Sequence, residues 1–416
     1  VLVACVDVGS TYTKAALVDT GGGLVATASH PTTIGTDVLR GLEAAVDGWA
    51  YDEIRVCSSA GGGLRLAVLG YEALVTATAG HKVGLSAGAK VVHVGAGPLA
   101  SLKDLRAARP DVVLLVGGTD GGDEETITHN AGLLARARFR VPVVLAGNAE
   151  VREALHSLLS SAGVPVVSTA NVLPRIGVLE PGPARAAIRE VFLKHVIGGK
   201  KLSRGPRFAS LVRMATPDAV LRGVEVLGDT LGADLLVLDV GGATTDVYSV
   251  LTPDAARAEV AGTLWRSRTV EGDLGMRWSA PGVVEAAAAE RMIQPSPSLL
   301  DGACARAADP AFLAPPGDPD EVEIATLAAK IALRRHARSG PDLRDVRLVI
   351  GSGGILRHSP PEAARQILAA ALTDTAGGWA LPRAPRVAVD SAYVLAAAGL
   401  LADDHPDAAV ALLTSV

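Results

Sequence analysis

Two stretches of this chain share one order of residues. Asp7-Val8-Gly9-Ser10-Thr11-Tyr12-Thr13-Lys14 and Asp239-Val240-Gly241-Gly242-Ala243-Thr244-Thr245-Asp246 each follow an apolar run, at residues 2–6 and 235–238, and each leads into a second β-rich segment, at 15–18 and 247–251. A single Asp-x-Gly turn after a strand is usually a hairpin and nothing more. Repetition of the whole pattern is a stronger constraint, because it asks for two copies of one strand–turn–strand unit.

The residue types fit phosphate chemistry. Glycine permits the backbone angles at which successive N–H groups converge on a phosphate, and it leaves no side chain in the way. The hydroxyls of Ser10, Thr11, Thr13, Thr244 and Thr245 add donors. An aspartate at the head of each turn suits hydrated Mg²⁺, which keeps several waters and takes one or two carboxylates beside the phosphates. Two such loops would form a clamp.

These residues resemble the phosphate-1 and phosphate-2 loops of the actin, sugar-kinase and heat-shock-chaperone ATPase superfamily. The superfamily has a third signature, a strand and Gly-rich turn at adenosine, and Leu348-Val349-Ile350-Gly351-Ser352-Gly353-Gly354-Ile355 is similar to it. The Ala/Gly-rich segment 391–401, with Gly399, looks like the second of its connecting helices. Ala243 departs from the pattern where many members have a third glycine, but it removes no polar contact. Together with Leu115-Val116-Gly117-Gly118-Thr119-Asp120-Gly121-Gly122 and Thr269-Val270-Glu271-Gly272-Asp273-Leu274-Gly275-Met276-Arg277, the loops resemble the glutamate-mutase accessory protein L (MutL/GlmL) family over residues 1 to about 400.

That resemblance implies an α/β protein with a duplicated ribonuclease-H-like (actin-like ATPase) fold. It also implies ATP and Mg²⁺ as cofactors, and an ATPase accessory role as reactivating chaperone for an adenosylcobalamin-dependent carbon-skeleton mutase. On this reading Asp7 and Asp239 hold Mg²⁺ through water. Gly9, Ser10, Thr11, Thr13, Lys14, Gly241, Gly242, Thr244 and Thr245 bind the β- and γ-phosphates, and Gly351, Ser352, Gly353 and Gly354 cradle adenosine. Asp246 or Asp239 orients the attacking water, with Glu271 a second candidate, since phosphoryl transfer needs mainly positioning and electrostatic stabilisation. A small-molecule kinase on the same scaffold is the alternative, with Asp120 or Asp273 as base. A non-catalytic nucleotide-gated assembly protein is a third.

Composition narrows the classes further. Net charge is −5, which gives no general attraction to nucleic acid or anionic lipid. No apolar run reaches the roughly 18 residues of a membrane helix, and the apolar start meets Asp7 too soon for a signal peptide, so a cytoplasmic protein is expected. Cys5, Cys57 and Cys304 are scattered, with neither disulfide nor metal spacing. This sets the chain apart from the 2-hydroxyacyl-CoA dehydratase activators, which share a similar first loop but carry an iron–sulfur cluster.

The organisation reads as a first half beginning at 1–88, with a helix at 36–49, a strand at 54–57 and a turn at Gly61–Gly63. The runs 91–94, 112–116 and 143–146, with a weaker one at 164–167, are β-branched like buried parallel strands, and helices near 98–107, 124–138 and 149–162 separate them. Residues 88–172 are therefore expected to form an inserted Rossmann-like α/β unit, with the Gly117–Gly122 loop at a strand's carboxyl end, where open α/β sheets bind ligands. Residues 173–232 read as the helical remainder of the first half. They end in a helix capped by Thr216, with Pro217 in its first turn and Gly232 after it. The basic run Lys194, His195, Lys200, Lys201 and Arg204 reads as a solvated loop, and 233–416 as the second half.

Overall fold

β1 (Leu2–Val8) is buried from Val3 to Val8. A strand with no polar face needs cover on both sides, which places it inside a sheet. β2 (Tyr12–Asp19) and β3 (Gly23–Pro31) follow as an antiparallel meander, and β4 (Glu53–Ser58) pairs with β1 in parallel. The computed structural model describes residues 1–416 apart from 22, 61–63, 73–75, 88, 198–201, 255–264, 310, 311, 313, 316, 339–341, 415 and 416. The expected turn at Gly61–Gly63 and the glycines and lysines at 198–201 lie outside the described residues.

Next come β5 (Leu64–Gly70), β6 (Ala89–Ala96), β7 (Val112–Leu115), β8 (Val143–Leu145) and β9 (Val166–Ser168). They form an all-parallel sheet of order β6-β5-β7-β8-β9. This is the doubly wound order whose direction reverses at the first strand. The core joins Leu69, Val113, Leu115 and Leu145 to Ile127, Leu134 and Leu159 from the helices Glu125–Arg136 and Arg152–Ser161. The compact unit takes in Gly63–Lys201 and Pro253–Leu264, a wider span than the 88–172 read from sequence. Leu64–Gly70 falls within the 1–88 expected for the first half, since a short apolar run does not declare which sheet it joins. Here it is flanked by β6 and β7.

β10 (Val212–Ala215) pairs in parallel with β4. This strand lies within the span 173–232 expected to be helical, because four residues just ahead of the helix Thr216–Leu231 show too little alternation to mark a strand. β11 (Leu235–Val240), β12 (Thr245–Val250), β13 (Arg266–Glu271), β14 (Leu348–Ser352) and β15 (Arg386–Val389) complete the third sheet. The orders β10-β4-β1-β2-β3 and β13-β12-β11-β14-β15 are the same topology. In each, the first three strands are antiparallel neighbours and the last two add in parallel beyond the first. The fold is a duplicated ribonuclease-H-like α/β architecture. Both sheets belong to the unit formed by Val1–Gly62, Leu202–Thr252 and Trp265–Val416.

The helices Thr216–Leu231 and Leu395–Leu401 share one core with Val3 and Val18 of the first sheet and Val237, Tyr248 and Ile350 of the other. They cross at bare backbone. A Cβ on Gly399 would lie 1.8 Å from the Ala219 carbonyl oxygen, and one on Gly223 would lie 2.1 Å from that of Leu395. Gly232 ends the first helix in the left-handed region, at φ 57°. The other face of the β11 sheet is covered by the helix Pro319–Arg338, through Ile324, Ala328 and Ile331.

Candidate functional site

The two hairpins are built alike. Gly9 N–H donates to the Tyr12 carbonyl at 3.1 Å, and Gly241 N–H donates to that of Thr244 at 2.9 Å. A Cβ would meet those same oxygens at 2.6 and 2.9 Å, so each turn closes this tightly only around glycine. The loops also touch each other: a Cβ on Gly242 would lie 2.7 Å from Thr11 Oγ1.

The second loop is held by its carbonyls. Met276 N–H donates to Gly241 O, Arg277 N–H to Gly242 O at 2.7 Å, and Ser279 Oγ to Ala243 O. Gly275 lets this support approach, since its Cβ would fall 2.5 Å from the Ala243 carbonyl carbon. Among the described residues, the N–H groups of Ser10, Thr11, Gly242 and Ala243 have no recorded acceptor. Loops whose carbonyls are engaged and whose amides are not are suited to an anion.

Asp7 is nearly enclosed, at 5% exposure. Its Oδ1 accepts from Thr216 Oγ1 and from the Cys57 thiol, and its Oδ2 accepts from Tyr393 Oη at 3.1 Å and lies 3.8 Å from Lys14 Nζ. The Lys14 ammonium also sits over the Tyr393 ring, 3.7 Å from its centroid. Thr216 therefore does not cap its helix as expected. Ala215 holds the cap position, and the Thr216 hydroxyl turns to Asp7.

The second aspartate has a different environment. Asp239, partly exposed, is pushed up to about 6 by desolvation, with Lys14 pulling the other way and the charges of Asp7 and Asp390 adding to the rise. Across the strand pair, Asp246 is pushed up to about 7, by burial first and then by Asp239. Tyr248 Oη donates to its Oδ2 at 3.2 Å, while its Oδ1 has no hydrogen-bond partner among the described residues. Arg268, fully buried, is paired with Asp218 at 3.0 Å, and its positive charge favours the Asp246 carboxylate. No group of three or more His, Cys, Asp or Glu among the described residues is arranged to ligate a metal directly.

Several residues picked from sequence stand elsewhere. Thr13 is fully buried, and its hydroxyl is bonded to that of Thr32 at 3.1 Å. Thr245 is equally buried. Gly351 faces apolar side chains, its Cβ position lying 2.8 Å from Leu368 and 2.9 Å from Leu356, so its lack of a side chain serves packing. Ser352 is 2% exposed. Gly353, at φ +95°, abuts Val240 O and Asp239 Oδ1, while Gly354 opens to free space. Glu271 is bound to Arg335 at 2.7 Å, and the same guanidinium grips Asp273 at 2.8 and 2.9 Å.

The residues that sequence reasoning missed reach the site from far along the chain. Thr216, Tyr393, Asp390 and Cys57 have no motif of their own, and only Tyr393, a non-glycine residue at φ 58°, has unusual backbone. Asp390 caps the Leu395–Leu401 helix region by accepting from the N–H groups of Val394 and Leu395.

In the parallel-sheet unit the Gly117–Gly122 loop follows β7. Gly117 and Gly118 take φ of 147° and 69°, and a Cβ on Gly118 would strike Asp123 O at 2.3 Å. Asn148, fully buried, accepts from Gly121 N–H and donates to Gly122 O. Asn171 Nδ2 donates to Gly118 O and to Asp120 Oδ1. Asp120 is thus part of the loop's own bracing.

A family model described as MutL protein matches residues 3–416. Protein MutL of Clostridium tetanomorphum is 34% identical over 453 aligned positions, which cover 98% of this chain and 97% of that protein. Among solved structures, acetone carboxylase in its nucleotide-free form aligns with TM-score 0.36 and 15% identity over 96% of this chain and 70% of that one. A ROK family glucokinase from Streptomyces griseus, in complex with glucose and AMPPNP, aligns with TM-score 0.34 and 14% identity over 96% of this chain and 98% of that one. No helix among the described residues is long and apolar enough to cross a membrane.

Proposed function

The chain belongs to the MutL protein family, and from that membership and the paired loops we propose that it is a Mg-ATP-binding ATPase accessory protein that reactivates an adenosylcobalamin-dependent carbon-skeleton mutase such as glutamate mutase. The observation that carries the nucleotide reading is the contact of two equivalent hairpins, Thr11 against Gly242, each headed by an aspartate and each presenting amides without acceptors.

The acids fit a hydrated Mg²⁺. Asp239 and Asp246 lie beside one another with raised proton affinity, and Asp246 Oδ1 is buried without a partner, a charge deficit that a cation would relieve. Asp239 and Asp7 would hold the ion through its water shell. When bound, it would neutralise charge on the phosphates. The amides of Ser10, Thr11, Gly242 and Ala243 and the Lys14 ammonium orient the phosphate chain, and Gly354 leaves room for adenosine. Asp246 is placed to accept a hydrogen bond from the attacking water. Glu271, tied to Arg335, serves as an anchor of the second loop's support and not as a base.

Work would be extracted through the crossing helices. Thr216 and Asp218, in one turn of the Thr216–Leu231 helix, connect to Asp7 and to Arg268 respectively. A change at either phosphate loop is therefore felt where that helix crosses Leu395–Leu401, and nucleotide-dependent closure of the two halves follows if one state binds better. On the reading proposed here, that motion opens the mutase's cobalamin interface and releases a damaged cofactor.

Calorimetric titration with ATP and ADP, with and without Mg²⁺, followed by phosphate release, tests the nucleotide reading. Saturable Mg²⁺-dependent binding that Asp239→Asn abolishes without loss of cooperative unfolding is expected. Absence of binding would overturn it. Nucleotide-sensitive co-sedimentation with a cobalamin mutase tests the accessory role, and a complex indifferent to nucleotide would count against it.

A further inference from the structure

Arg357 is the second residue from the end of the short helix Gly354–His358, just after the Gly353 turn that abuts Asp239. It lines one cavity with Asp7, Lys14 and Tyr393. Other part-buried arginines of this unit have carboxylate partners: Arg55 with Asp404, Arg277 and Arg306 with Glu321, Arg334 with Asp374, Arg335 with Asp273. Arg357 is only half-buried; among the described residues its guanidinium has no ion pair or side-chain hydrogen bond, although its charge favours the buried Asp390 carboxylate.

The nearby acids are already engaged. Asp7 accepts from Thr216, Cys57 and Tyr393, and Asp390 accepts from two backbone N–H groups. Lys14, of the first hairpin, is ion-paired with Asp7, which lines the same cavity, so Arg357 adds a positive charge there that no carboxylate pairs. The neighbouring His358 feels both: its proton affinity is lowered by burial first, then by the charges of Arg357 and Lys14. A guanidinium without a carboxylate partner, next to an already paired ammonium, favours an anion. A guanidinium's planar donors match two oxygens of a phosphoryl group at once, which an ammonium does not do.

We propose that Arg357 is a phosphate-contacting residue that, with Lys14, grips the terminal phosphoryl group of bound nucleoside triphosphate and so distinguishes triphosphate from diphosphate. This rests on the nucleotide reading given above. A merely structural Arg357, balancing the buried Asp390 charge, would affect both nucleotides alike.

The test is equilibrium binding of Mg-AMPPNP and Mg-ADP to the full chain, unaltered and as R357Q and R357K. R357Q is expected to weaken AMPPNP by about tenfold or more, the scale of one hydrogen bond to a charged group, while ADP changes less than about twofold. R357K, keeping the charge without the fork, should fall between, and it carries the same comparison should R357Q lose cooperative unfolding. Equal changes for both nucleotides, or none, in a chain that binds nucleotide would overturn the role of Arg357 and leave the nucleotide reading intact. Failure of the unaltered chain to bind either nucleotide would overturn both.

Discussion

Lys14 and Asp246 occupy the same place in two copies of one hairpin. Each stands across the antiparallel ladder from the aspartate near the end of the first strand, Lys14 opposite Asp7 and Asp246 opposite Asp239. One copy has a cation there and the other a second acid. The first aspartate is consequently ion-paired, whereas the second belongs to a pair of acids whose proton affinities are raised to about 6 and about 7. The backbone is duplicated and the charge is not: on the function proposed above, the second hairpin would carry most of the charge facing the cation.

That asymmetry sets a pH dependence. A carboxyl whose folded pKa exceeds its unfolded value makes the folded state less stable as pH rises from the unfolded pKa through the folded one. For Asp246 the window runs from 3.8 to about 7. Asp246→Asn should match the parent in urea unfolding near the bottom of that window and exceed it at pH 8 by at least about 1 kcal/mol. His336, buried and lowered to about 3, contributes the opposite slope, with stability lost as pH falls below 6.5. That slope should persist in the variant.

Tyr393→Phe removes the hydroxyl that donates to Asp7 and keeps the ring beneath Lys14. The loss should be about 1.5–3 kcal/mol, the range for a hydrogen bond to a charged group, measured by denaturant midpoint at constant m-value. A change below about 0.5 kcal/mol would mean that solvent replaces the phenol.

Gly223 and Gly399 let two helices cross at backbone contact. Gly399→Ala and Gly223→Ala should each cost about 1–3 kcal/mol through overpacking. The double variant should cost less than the sum, because one separation of the helices relieves both clashes. Additive costs in a double-mutant cycle would show that the sites relax independently.

Asn148→Ala withdraws a buried side chain that both accepts from and donates to the Gly117–Gly122 loop. Stability should fall by about 1–3 kcal/mol, and hydrogen exchange should quicken first at the amide of Gly121. Exchange unchanged at that amide would show that the loop holds its shape without the asparagine.

The paired hairpins, the family resemblance and the duplicated fold were all legible in the residues, because an apolar strand, an aspartate and a glycine turn are local patterns whose backbone requirements do not depend on distant contacts. The parallel strands from residue 91 onward were legible for the same reason, as continuous β-branched runs. Membership of a sheet was not, and Leu64–Gly70 and Val212–Ala215 show why: a short strand acquires its place only from the strands that bond to it. Nor could sequence reveal that Thr216 and Tyr393 hold Asp7, that Thr13 and Gly351 face inward, or that Arg357 shares a cavity with Lys14. The contacts of Thr216, Tyr393 and Arg357 join residues hundreds of positions apart, and even the inward turn of Thr13 and Gly351 depends on strands and helices that pack against them. Spacing along the chain leaves them undetermined, and they are decided by which side chains folding leaves within hydrogen-bonding or charge range.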